Sequence, residues 1–106
     1  PGWDGLLEVM PVAAGGIDPA RLREVFPRAR SGGERFRRRP DAPPRSLKKQ
    51  YQAAGVPEEG RAGPLLYDRD GALLFVPGLG IDAACRAPEG ARQVALHWRS
   101  GALAED

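Results

Sequence analysis

The chain has 106 residues, 42% of them hydrophobic and 28% charged, and a formal net charge of +2. That length suits a single domain that buries roughly 65% of its unfolded surface in one core. No apolar run approaches a membrane-spanning helix, and one Cys with one His is too few for an intrachain disulfide or a protein-only zinc site.

Residues 3–12 form an apolar run that reads as a strand, with Pro11 near its end. A Gly-Gly loop follows, and Asp18 then stands as the cap of a helix with Pro19 at its first position. Leu22, Val25 and Phe26 share one face of that helix at i, i+3 and i+4, and Pro27 is expected to end it. Over residues 28–39 the pattern changes to period two around Gly32-Gly33, which predicts a hairpin. Arg28 and Arg30 share a face of its incoming strand, while Arg35, Arg37 and Arg39 alternate with Phe36 and Arg38 on the outgoing one.

Residues 40–44 (PDAPP) make a stiff loop into a second helix, which runs from Ser46 to Gly55 and buries Leu47, Tyr51 and Ala54. After a polar stretch over 58–63, strands at 64–67 and 72–76 flank the turn Asp68-Arg69-Asp70-Gly71. Residues 93–99 form a last strand with Val94, Leu96 and Trp98 inward and Ala95, His97 and Arg99 outward. The tail beyond Ser100 is expected to fray. The sum is one α+β domain over residues 1–106, with five to seven strands and two helices.

Charge is unevenly spread. Residues 18–49 hold eleven Lys or Arg against four Asp or Glu, whereas residues 50–106 hold five against eight. Such asymmetry fits either an electrostatic footprint for a polyanion or a solvated basic face. The second helix adds a sharper signal. Its first turn carries Lys48 and Lys49, with Arg45 just outside, although a helix N-terminus favours negative charge. Free backbone N–H groups, the Ser46 hydroxyl and three cations there compose an anion site, most simply for phosphate, and so point to nucleic acid.

Other motifs carry less. Ser31-Gly32-Gly33 matches the start of the S-G-G-x-D-S loop of ATP-pyrophosphatase ligases, but Glu34, Arg35 and Phe36 follow in place of the required Asp and Ser. Gly78-x-Gly80-x-x-Ala83 imitates a dinucleotide fingerprint without a βαβ unit around it. Cys85 has no base partner, and the carboxylates show no catalytic pairing. No catalytic residue and no metal ligand set is read from this chain.

Gly32–Arg37 (GGERFR), residues 45–57 (RSLKKQYQAAGVP), 64–67 (PLLY) and 78–82 (GLGID), in this order and spacing, resemble the C-terminal domain of the tRNA(Ile)-lysidine synthase family. The opening WDGLL and the GGI before the first helix extend the resemblance to roughly residues 3–99. It implies a small β-sandwich-like layer with helices, similar to a domain of the phenylalanyl-tRNA synthetase β subunit. It implies a module that grips the acceptor region of an isoleucine tRNA, in a protein that uses ATP to attach lysine to C2 of the wobble cytidine.

ATP and Mg are then expected in an N-terminal catalytic domain of the same protein, of which this chain, opening at Pro1 without Met, would be a piece; no cofactor is expected here. The candidate phosphate ligands are Arg28, Arg30, Arg35, Arg37, Arg45, Ser46, Lys48, Lys49 and Arg61. Arg61 is the one basic residue kept in the 58–63 loop, where the family pattern has an aromatic and two basic residues. A cytoplasmic setting is expected, with no membrane partner. The competing reading is a structural or protein-interaction domain whose basic face is solvated.

Overall fold

The computed structural model describes residues 3–101. In chain order its elements are β1 (Gly5–Val12), β2 (Phe26–Arg28), β3 (Arg35–Phe36), β4 (Arg45–Ser46), α1 (Leu47–Ala54), β5 (Leu65–Tyr67), β6 (Leu73–Val76), β7 (Gly80–Ile81) and β8 (Gln93–Ser100). Single 3-10 turns lie at Pro19–Arg23, Glu58–Arg61 and Ala83–Cys85. The mixed α and β character matches the sequence reading, though the described residues hold eight strands, several of only two residues, and one α-helix.

The longest pairing joins β1 and β8 antiparallel from Gly5–Ser100 to Val12–Gln93. Pro11 is tolerated because Val94, opposite it, exchanges both of its backbone hydrogen bonds with Ile17 at 2.9 Å. A four-stranded antiparallel sheet runs in the order β2-β5-β6-β7, and β3 pairs with β4. Neighbouring residues on β5 serve different cores, as period two requires. Leu66 joins Ile17, Leu74, Phe75, Ile81, Val94 and Leu96. Leu65 joins Val76 with Phe36, Leu47 and Tyr51, which places α1 and β3 on the other core.

Three expectations are corrected. The first helix is only the 3-10 turn Pro19–Arg23: Asp18 does cap it, accepting from the Ala20 N–H at 2.9 Å, but the chain is already extended at Phe26. Pro27 therefore sits inside a strand rather than ending a helix, which it can do because β2 is a sheet edge. The hairpin over 28–39 does not form, since β2 pairs with β5 and β3 with β4. Glu34 folds back instead, its carboxylate accepting from the Ser31 N–H and hydroxyl at 2.6 and 2.8 Å and from the Gly32 N–H at 3.1 Å. Finally, Ala54 is exposed and Gln50 is buried in α1, so the inward stripe is Leu47, Gln50 and Tyr51.

The stop of α1 follows the reading closely. Gly55 adopts φ 68°, its N–H meets the Gln52 carbonyl, and the Val56 N–H meets the Tyr51 carbonyl at 3.1 Å. This is a Schellman closure, with Val56 packed in the same core as Tyr51. Two glycines gauge the cost of positive φ. A Cβ on Gly55 would meet nothing within 4 Å, whereas one on Gly63, at φ 111°, would lie 2.6 Å from the Trp98 ring. Gly55→Ala is expected to cost about 1–2 kcal/mol and Gly63→Ala distinctly more, measured by urea or thermal unfolding. Equal losses would mean that Trp98 does not constrain the approach at Gly63.

Candidate functional site

The geometry of the basic region starts from how α1 is held. Ser46 is its N-cap, with the hydroxyl oxygen accepting from the Lys49 N–H at 3.3 Å. No acidic residue occupies the first turn, so the positive end of the helix is reinforced by Lys48 and Lys49 rather than neutralised. Tyr51 is fully buried and donates its hydroxyl to the Pro77 carbonyl at 2.7 Å. Gln50 donates from Nε2 to the Phe36 carbonyl at 2.9 Å. These two bonds tie adjacent helix positions to the sheet and to β3. They fix the rotation of α1, and hence where its basic residues point.

Beside this helix lies a cleft of about 530 Å³. Arg38, Arg39, Arg45, Lys49 and Arg86 contribute to its wall, and among the described residues no carboxylate lines it. Gln50 contributes the one side-chain acceptor on that wall, while Ala53 and Leu79 supply apolar surface. The segment bearing Arg38 and Arg39 is anchored just before them. The Arg37 N–H donates to Asp82 Oδ2 at 2.9 Å, and the Arg37 carbonyl accepts from the Ala83 N–H at 2.8 Å. Arg86 reaches across from the other side, donating from Nη2 to the Arg38 carbonyl at 2.7 Å.

The structure sorts the candidate phosphate ligands into groups. Arg45 and Lys49 lie on the cleft; Lys48, one position along the helix, is exposed outside its wall. Arg35 is exposed on β3, opposite Ser46. Arg37 is half-buried with its guanidinium on the Ala42 carbonyl. Arg61 donates from Nε and Nη2 to the Val56 carbonyl at 3.1 and 3.0 Å and stacks 4.8 Å from the Tyr51 ring centroid.

Arg30 lies 5.5 Å from that same ring, and Arg28 lies 5.6 Å from Tyr67, in a separate depression that Glu34 shares. Burial pushes the Tyr51 hydroxyl above its ordinary range, and the charges of Arg30 and Arg61 partly oppose this.

Arg38, Arg39, Gln50 and Arg86 line the cleft without being among the candidate phosphate ligands. Alternation along the expected hairpin puts Arg39 on the face of Arg35 and Arg37, but β3 ends at Phe36 and the alternation ends with it. Gln50 lies outside the expected buried set of Leu47, Tyr51 and Ala54, and nothing local to Arg86 links it to a segment nearly fifty residues earlier.

Residues 25–98 match the family model described as "TilS substrate C-terminal domain". A tRNA(Ile)-lysidine synthase of Burkholderia pseudomallei is 41% identical over 97% of this chain and 22% of its own length. The enzyme of the same name from Ralstonia nicotianae is 45% identical over 80% of this chain and 19% of its own. The chain thus spans about a fifth of the length of the curated relatives it matches. A solved structure described as "Crystal structure of TILS C-terminal domain" superposes with a TM-score of 0.55 and 27% identity, covering 94% of this chain and 72% of that one.

Asp82 underpins the wall of the cleft. It is 8% exposed, and its second oxygen, Oδ1, accepts from the Ala84 N–H at 2.8 Å. Asp82→Ala would leave the Arg37 and Ala84 N–H groups without partners, at an expected cost of about 2–4 kcal/mol in urea unfolding. A loss below about 1 kcal/mol would show that water replaces the carboxylate freely.

Proposed function

This chain belongs to the TilS substrate C-terminal domain family, and from that premise we propose that it is the tRNA-binding module of a tRNA(Ile)-lysidine synthase. The observation that carries the reading is the convergence of Arg38, Arg39, Arg45, Lys49 and Arg86 on one cleft free of carboxylates among the described residues. Cations gathered with only the long, exposed Arg39–Asp41 pair to offset them repel one another, and a polyanion relieves that repulsion. Phosphate contacts of this sort set position and orientation rather than sequence choice. Arg28, Arg30, Arg35 and Lys48 extend the positive surface, whereas Arg37 and Arg61 serve chiefly as internal braces.

The finer reading places the acceptor region of the isoleucine tRNA against this face. The ATP-dependent transfer of lysine to the wobble cytidine falls to a catalytic part of the protein upstream of this domain, in a cytoplasmic setting. The Ser31–Glu34 segment gives physical support to that division. Its backbone donors form an anion nest, but the Glu34 carboxylate fills it, and bonds from Ser31 and Gly32 hold that carboxyl below its usual range despite partial burial. The segment does not fit an ATP phosphate. The likeness to a domain of the phenylalanyl-tRNA synthetase β subunit belongs to the same proposal. No helix among the described residues is long and apolar enough to cross a membrane.

Titration with tRNA at several salt concentrations tests the reading. Log K is expected to fall linearly with log salt, at about 0.7–0.9 per phosphate contact. Arg45→Ala and Lys49→Ala should each weaken binding and lower that slope by about one, while unfolding changes by less than about 0.5 kcal/mol. Arg61→Ala should lower stability and leave the slope unchanged. Absence of binding, or an affinity indifferent to salt, would overturn the proposal in favour of a domain that packs against protein.

A further inference from the structure

The cleft holds more than a rim of positive charge. Gln50 is 5% exposed, and because the Phe36 carbonyl can only accept, the amide nitrogen is the atom that faces it. The carboxamide oxygen is thereby held in a fixed direction, and none of the described residues donates to it. Arg86 is held in the same way: its Nη2 is bonded to the Arg38 carbonyl, while its Nε is buried without a partner. An inorganic phosphate would answer the cations but would meet Gln50 acceptor to acceptor. The occupant that answers both walls is an anion that also carries a hydrogen-bond donor.

We propose that this cleft seats one unpaired nucleotide whose base bears an exocyclic amino group. Its phosphate would lie among Arg38, Arg39, Arg45 and Lys49, with the amine on the Gln50 oxygen. The inference rests on the tRNA-binding reading above and deepens it, since every tRNA ends in an unpaired C-C-A whose bases all carry such an amine. A base within a duplex cannot enter, because it is held in the stack by pairing and the free hydrogen of a cytosine or adenine amine faces the A-form major groove, which is too narrow for side chains. A single unstacked nucleotide can. The volume of about 530 Å³ falls within the range of roughly 300–1,000 Å³ typical of small-ligand sites. Apolar Leu79 and Ala53 provide surface for the base plane.

The test compares three RNAs on the unmodified chain: intact tRNA, the same tRNA trimmed of its unpaired 3′ nucleotides, and one with the 3′-terminal amines replaced by hydrogen (purine riboside for adenosine, 2-pyrimidinone riboside for cytidine). Trimming is expected to weaken binding about tenfold, and amine removal about three- to tenfold, the scale of one neutral hydrogen bond in a desolvated site. In nitrogen-15 spectra the Gln50 side-chain amide should shift with intact tRNA and stay in place with the trimmed one.

Gln50→Met should bind the intact and amine-free RNAs equally. The ligand arms decide the matter even if that variant folds poorly. Equal affinity for intact and trimmed tRNA would overturn this subsite while leaving tRNA binding in place. Loss on trimming without loss on amine removal would overturn the role of Gln50. Failure of every RNA to bind would overturn the domain's tRNA reading as well.

Discussion

The bond from the Tyr51 hydroxyl to the Pro77 carbonyl governs how the helix sits on the sheet, and most of the functional surface depends on that seat. Burying a phenol costs free energy unless its oxygen finds a partner, so the ring has one comfortable depth and one rotation. With Tyr51 fixed, the preceding residue reaches the Phe36 carbonyl and ties β3 to α1. Val56 then closes the helix end, and its carbonyl receives Arg61. A single helix of eight residues is too short to be stable by itself; these tertiary ties are what make it a rigid platform for Arg45 and Lys49.

The arginines divide by what their guanidinium groups already touch. Arg37 and Arg61 donate to backbone carbonyls, Arg21 pairs with Asp68 at 3.2 Å, and Arg99 shares Glu8 with His97. Arg28 and Arg30 lie over the rings of Tyr67 and Tyr51. Around the cleft, Arg39 meets Asp41 only at 3.8 Å, and both side chains are exposed, so the pair does little to neutralise it. Counting basic residues along the chain therefore overstates the surface available to a ligand in some segments and misses it in others. Charge becomes function only where no neighbour has already used it.

Much of this was legible in the residues themselves. The pattern from Arg45 to Pro57 specified α1 nearly to the residue, because Ser46, Gly55 and Pro57 impose local constraints that any tertiary context must respect. The Asp68–Gly71 turn and the inward Val94 and Leu96 of β8 followed from equally local rules. The family resemblance rested on residues 32–37, 45–57, 64–67 and 78–82, and residues 25–98 carry the match.

What only the folded chain decided was pairing. Period two over 28–39 is genuine in composition, yet β2 and β3 each found a distant partner, because a neighbouring strand offers no advantage once Glu34 has closed the Gly-Gly loop on itself. Asp18 and Pro19 began a helix that the edge of the sheet cut to one turn, since pairing of Phe26 with Tyr67 outweighs weak helical propensity. The cleft belongs to this class as well. Arg86 and Arg38 are far apart in sequence, and Gln50 has no signal of burial in its own helix turn. The residues alone determined a basic, capped helix and the strands around it; their assembly into one cleft came from long-range contacts, whose energies depend on which surfaces meet rather than on which residues are neighbours in the chain.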